Sequence, residues 1–268
     1  MPIFYNPNRK KGLFFIPSGA TGGERLAIEY SAARFCEDGT DPIPGITGET
    51  GGTFSSTTGL VFISTSTGQV DLSASTAGTY VVTYTAPSSE TATTSITIDS
   101  IPVVSAGVDV AICNGENTVL TATGATTYLW STGETTASIT VDPTTTTSYT
   151  VTGYNGACSA TDSVQVTVNA LPTVEITGTL TYCAGSSTTL TATAGLSSYL
   201  WSTGATTQAI TVSTAGSYTV TGTDSNGCSA TSSAATVTEL PLDTATVTYS
   251  ASAYCQMPTG ALAVDGYY

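Results

Sequence analysis

The chain has 268 residues, 40% hydrophobic and 9% charged, which excludes a simple disordered polymer and leaves room for one large domain or two to three small ones. Nineteen acidic residues stand against five basic ones and no histidine, a net charge of −14 that rules out Ser-His-Asp chemistry and argues against a nucleic-acid surface. Thr, Ser, Gly, Ala and Val dominate; β-branched Thr and Val suit half-buried pleated strands and Gly, Asn and Asp supply turns, so the composition predicts an all-β chain.

Residues 1–26 form an arm of different character. All five basic residues, Arg9, Lys10, Lys11, Arg25 and Arg34, fall in the first 34 positions, so residues 35–268 are a polyanion. A basic arm on such a body docks on something acidic; the alternative is a solvated tail. The apolar run at residues 12–16 is short for a signal-peptide core and closes at Pro17, and no segment approaches the length of a membrane span.

The next module is residues 27–101. Its STAGTYVVTYT, from Ser75, matches STAGSYTVTGT, from Ser213, and places Tyr80 69 residues before Tyr149. Glu37, Asp38 and Asp41, in CEDGTDP, form the one acidic cluster; it offers oxygen ligands to Ca²⁺ but lacks EF-hand spacing, and a solvated turn is the competing reading. No other cofactor is implied.

Two homologous modules follow at residues 102–170 and 171–240, separated by NALP. TVLTATGATTYLWSTGETTASITV, from Thr118, returns as TTLTATAGLSSYLWSTGATTQAITV, from Thr188. Cys113, Trp130, Tyr149 and Cys158 recur as Cys183, Trp201, Tyr218 and Cys228, with shifts of 70, 71, 69 and 70 residues. In the first of them TVLTATG, YLWST, ASITVD, TSYTVTGY and DSVQVTVN read as strands with one face on a core and one in water. About seven short strands in some 70 residues predict a small Ig-like β-sandwich, and the short Pro-containing joints predict an elongated array of three.

Each of these two modules holds two cysteines 45 residues apart with a Trp between them. The reading is a disulfide within each module, Cys113 with Cys158 and Cys183 with Cys228, set near one end of the sandwich because the cysteines flank turns. A metal site is the weaker alternative, since there is no CxxC and no histidine. Each 45-residue loop contributes about 4 kcal/mol on the chain-entropy model and implies an oxidising location. Trp130 and Trp201 read as core residues. Tyr80, Tyr149 and Tyr218, each opening a strand after a turn, read as tyrosine corners, with surface recognition as the alternative. Residues 241–268 read as an incomplete fourth module or tail: YSASAYC, ending at Cys255, nearly repeats YSAARFC, ending at Cys36. Neither of those cysteines has a partner within its own module.

YSAARFCEDGTDPIPGITGETGGTFSSTTGLVFISTSTGQVDLSASTAGTYVVTYT resembles the SprB-type repeats of the mobile adhesins of gliding bacteria. The two Cys…LWSTG…Cys modules resemble Ig-like repeats of large surface proteins exported by the type IX system of the same bacteria. The resemblance implies a non-catalytic, extracellular, stalk-forming protein of adhesion or surface display. Short length and the lack of a leader or sorting domain set this chain apart and suit a virion fibre or decoration protein of a phage of such bacteria. In that reading the arm is the anchor, with Arg9, Lys10 and Lys11 facing an acidic capsid or tail surface and Phe14, Phe15 and Ile16 packing into it. The alternative is a fragment of a cell-surface gliding adhesin. The partners expected are a protein surface met by the arm and cell-surface glycans, in an oligomer or array, with no nucleic acid.

Overall fold

Alternation of apolar and hydroxyl-bearing residues sets the architecture. In the strand Gly78–Thr85, Tyr80, Val82 and Tyr84 are buried while Thr79 and Val81 face water, the period of two that a sheet with one covered face requires. The computed structural model describes residues 24–242, and within them every regular element is a β-strand. The chain is an all-β protein of Ig-like sandwich modules. The arm residues Arg9, Lys10, Lys11, Phe14, Phe15 and Ile16, and Cys255 with its YSASAYC, lie outside the described residues.

The chain divides into two units. Among the described residues the first comprises residues 24–104 together with Gly124–Tyr128 and Thr152–Thr161. Its main sheet orders Arg34–Cys36, Thr91–Asp99, Gly78–Thr85 and Thr53–Ser56. The first pair is parallel and the others antiparallel. Opposite it lie the pair Ala27–Glu29 with Gly45–Thr47 and the hairpin Val61–Ser64 with Gln69–Asp71. The core between them gathers Ile28, Tyr30, Phe54, Val70, Leu72, Tyr84, Ile96 and Ile98. The Phe54 and Tyr84 rings stand 4.8 Å apart. Tyr30 donates its hydroxyl to the Gly68 carbonyl at 2.7 Å, so its polar tip is satisfied inside the core, and burial pushes its pKa up.

Among the described residues the second unit comprises Ser105–Thr123, Leu129–Val151 and residues 162–242. Here Thr118–Thr121 pairs antiparallel with Ser138–Val141, and Val110–Cys113 runs parallel to the end of Cys158–Asn169. The third repeat sets Ile176–Gly178, Thr188–Ala192 and Ala209–Val212 in one sheet. Thr181–Cys183, Ala235–Leu240 and Gly216–Tyr218 form another, and Ser198–Trp201, Val220–Thr223 and Ser229–Thr231 a third. Their inner faces share a core of Tyr182, Leu190, Trp201, Val212, Val220 and Val237.

The residues singled out from the sequence sit as follows. Trp130 and Trp201 are each 2% exposed, and their indole N–H groups donate to the carbonyls of Thr136 at 3.0 Å and Thr207 at 2.8 Å. Each tryptophan thus fills the core and closes its own STG turn, which explains why LWSTG recurs as a block. Tyr80 and Tyr218 are buried and donate their hydroxyls to the carbonyls four residues back, Thr76 at 2.5 Å and Thr214 at 2.7 Å. That is tyrosine-corner geometry. Tyr149 is buried in the strand Thr147–Asn155, and burial together with the nearby Asp142 charge raises its pKa.

Candidate functional site

The feature that separates this chain from a plain row of sandwiches is its cysteine pairing. Cys36 is bonded to Cys158 and Cys113 to Cys228, with Cα separations of 4.8 and 5.5 Å and sequence separations of 122 and 115 residues. Cys183 is also disulfide-bonded. The expected pairings of Cys113 with Cys158 and of Cys183 with Cys228 are therefore corrected.

Strand register gives the physical reason. Cys113 is paired with Asn169 at the far end of the strand Cys158–Asn169, whereas Cys158 opens that strand. Eleven residues of extended chain span roughly 36 Å, far beyond the ~7 Å a disulfide tolerates between Cα atoms. Cys183 is likewise in register with Leu240, at the end of Ala235–Leu240, while Cys228 precedes the neighbouring strand Ser229–Thr231. The two cysteines of one repeat mark opposite ends of its sandwich. Each bond joins the first cysteine of one repeat to the second cysteine of the next.

One construction recurs around the first cysteine of each repeat. A short strand ending in Cys lies parallel to the repeat's last strand, Cys36 opposite Asp99, Cys113 opposite Asn169 and Cys183 opposite Leu240. The following residue then donates its N–H across the pair: Glu37 to Asp99 O at 3.1 Å, Asn114 to Asn169 O at 2.9 Å, and Ala184 to Leu240 O at 2.9 Å.

The Cys36–Cys158 bond has additional polar support. Arg34 Nε donates to Asp99 Oδ2 at 3.0 Å, and its Nη2 pairs with Oδ1, the one salt bridge among the described residues. Asp99 is only 8% exposed, and its Oδ2 also accepts the Ala157 N–H at 2.8 Å. Burial alone would raise the Asp99 carboxyl; the Arg34 guanidinium and the Ala157 amide outweigh it and hold the group below the usual carboxylate range. Cys158 Sγ lies 3.0 Å from Asp99 O, a contact without a proton because a disulfide sulfur has none to donate. Gly156, at φ 57°, completes the fit, since a Cβ there would collide with Asp99 Oδ2 and Arg34 Nη2. Arg34, the last basic residue of the chain and outside the arm at residues 1–26, is thus part of the first module and committed to Asp99.

Sequence reasoning missed Asp99, since a lone aspartate at a strand end carries no local signal. The only hint was that Arg34 is the last basic residue of an otherwise acidic chain.

The acidic cluster resolves into separate roles. Glu37 accepts the Ile101 N–H and Asp41 the Leu72 N–H, each at 2.9 Å. Asp38 stands within 4.8 Å of the Cys36 and Cys158 sulfurs, but those sulfurs are bonded to each other, which leaves one free ligand. A cavity of about 300 Å³ in the second unit, lined by Val174, Glu175, Ile176, Leu180, Ser233 and Ala235, brings a single ionisable side chain, where proton transfer needs a positioned acid and base. Outward hydroxyls pair across strands, Thr79 with Thr97 at 3.0 Å and Thr221 with Thr231 at 2.8 Å, giving rows of neutral polar groups.

No protein-family model matches this chain, and no curated protein matches it. Among solved structures it is similar to an I-band fragment of titin, with a TM-score of 0.41 and 11% identity over 80% of this chain and 98% of that one. Extracellular domains 3–5 of Drosophila OTK follow at 0.31 and 11%, over 74% of this chain and 81% of that one. Sidekick-1 immunoglobulin domains 1–5 stand at 0.31 and 14%, over 82% and 61%. The fold itself rests on the strand pairings of this chain. Long-range disulfides such as Cys36–Cys158 and Cys113–Cys228 are the mark of an oxidising environment.

Proposed function

We propose that this is a non-catalytic, extracellular structural and adhesive protein, a stalk of Ig-like repeats displayed on a particle surface through residues 1–26. The observation that carries this reading is covalent linkage from repeat to repeat, a device that serves a load-bearing or exposed chain and contributes nothing to chemistry. The scarcity of acid and base groups beside the hydroxyl rows supports it, because such rows suit glycans or neighbouring protein more than catalysis. The particle is best matched by a phage of gliding bacteria, as fibre or decoration subunit, with Arg9, Lys10 and Lys11 meeting an acidic capsid or tail surface. Deleting residues 2–26 is expected to abolish attachment to purified particles; an unchanged copy number per particle refutes the anchor.

The resemblance of residues 30–85 to SprB-type repeats favours a second reading, a piece of a secreted adhesin of the gliding cells themselves. Fractionation separates the two. Recovery of the chain with the outer surface of uninfected cells supports the adhesin and overturns the virion role.

A further inference from the structure

The turn that carries Cys158 is held partly from outside its own repeat: Asn155 Oδ1 accepts the Thr126 N–H at 3.0 Å within the repeat, but the Ala157 N–H is capped from the repeat before. In the third repeat the equivalent turn is self-sufficient: Asp224 Oδ1 accepts the N–H groups of Asn226 at 2.8 Å and Cys228 at 2.9 Å. Seventy positions earlier Tyr154 stands where Asp224 does, and it brings no carboxylate. The carboxylate is instead that of Asp99, 58 residues upstream of the Ala157 N–H it accepts. Asp99 is also the register partner of Cys36. One side chain therefore touches the strand of one cysteine and the turn of the other.

Such a contact matters because the correct pairing is the statistically disfavoured one. In the reduced chain Cys158 is 122 residues from Cys36, 45 from Cys113 and 25 from Cys183. Loop closure alone favours Cys113 over Cys36 about four-fold and Cys183 about ten-fold. Local geometry has to reverse that preference.

We propose that Asp99 selects Cys36 as the partner of Cys158, by capping the Ala157 N–H and so bringing the Cys158 turn against the Cys36 strand before the bond forms. Oxidation then removes two thiol protons and two electrons, which pass to a disulfide oxidant that is itself reduced to thiols. Asp99 is a positioning residue and takes no part in the exchange. Arg34 holds its carboxylate in place, and Gly156 leaves the space it needs.

The test is oxidative refolding of the full chain from the reduced, denatured state, with oxidised glutathione as oxidant. Free thiols are blocked at intervals, and the linkages are mapped by mass spectrometry after Glu-C and chymotrypsin digestion without reduction. The readout is the ratio of Cys36–Cys158 to Cys113–Cys158 at early times. Asp99→Ala is expected to lower it at least several-fold, Asp99→Asn to recover most of it by keeping an acceptor for Ala157, and Asp224→Ala to leave it unchanged. A wild-type ratio in Asp99→Ala overturns the proposal, as does an equal fall in Asp99→Ala and Asp224→Ala, which would mark general loss of folding. Where Asp99→Ala gives no folded product, Arg34→Gln decides: it is expected to lower the ratio because Asp99 loses the guanidinium that holds its carboxylate, and a wild-type ratio in Arg34→Gln overturns the proposal.

Discussion

Replacing Cys36 by Ser is the sharpest perturbation available, because pairing within repeats assigns that cysteine no role. The bond it removes closes 122 residues. On the chain-entropy model such a loop restrains the unfolded chain by about 5 kcal/mol, a large share of the 5–15 kcal/mol that holds a typical domain together. For a unit of this size the loss corresponds to a fall in melting temperature on the order of 20–40 °C. Calorimetry of the oxidised protein measures it. Cys36→Ser and Cys158→Ser are expected to fall by the same amount, and the double variant no further, because both single changes remove one bond. Cys113→Ser is expected to match Cys228→Ser in the same way. A Cys36→Ser protein that melts with the wild type, or a Cys113→Ser/Cys158→Ser double variant that melts no lower than Cys158→Ser alone, would refute the connectivity and the register reasoning behind it.

Two further outcomes follow from the cluster beside that bond. Gly156→Ala combines an unfavourable positive φ with a collision against Asp99 and Arg34, so chemical denaturation should show a loss of more than about 1 kcal/mol. The Asp99 carboxyl is held below its ordinary range by Arg34 and Ala157, so its contribution is complete above the unfolded-state value of about 4 and is lost as pH falls through the folded value. The stability gap between wild type and Asp99→Asn should hold steady from about pH 5 to 8 and close below about pH 4; a gap that widens on acidification contradicts the assignment.

Much of the fold was legible because each repeat restates it. The segments around TVLTATG, YLWST, ASITVD and TSYTVTGY became Thr118–Thr121, Thr127–Trp130, Ser138–Val141 and Thr147–Asn155, since alternation of Thr with Val, Ile or Tyr is a local property. The cysteine partners were not legible. A repeat that pairs internally and one that pairs with its neighbour have the same spacing, and the strands that decide, Arg34–Cys36 and Thr181–Cys183, are three residues long and too short to show a period. One signal existed in the count. Pairing within repeats leaves Cys36 without a partner, whereas shifting every bond by one repeat gives it Cys158. Asp99 escaped for a related reason, since its partners Arg34 and Ala157 lie 65 and 58 residues away and only the folded register assembles them.

The two bonds also overlap along the chain, because Cys113 lies inside the loop closed by Cys36 and Cys158, while Cys228 lies outside it. When the chain is pulled from both ends, tension follows the shortest covalent route. Along the backbone from Cys36 to Cys228 that route is 192 residues (36 to 228), but through Cys36–Cys158 it is at most 70 (158 to 228). Through Cys113–Cys228 it is at most 77 (36 to 113). With both bonds intact the route crosses Cys36–Cys158, returns along the chain to Cys113 and crosses to Cys228, 45 residues (113 to 158), so a single reductive or mechanical break releases only 25 or 32 residues. The full 192 residues between Cys36 and Cys228 are released only when both are gone, so the overlapping loops work as a two-stage safety line.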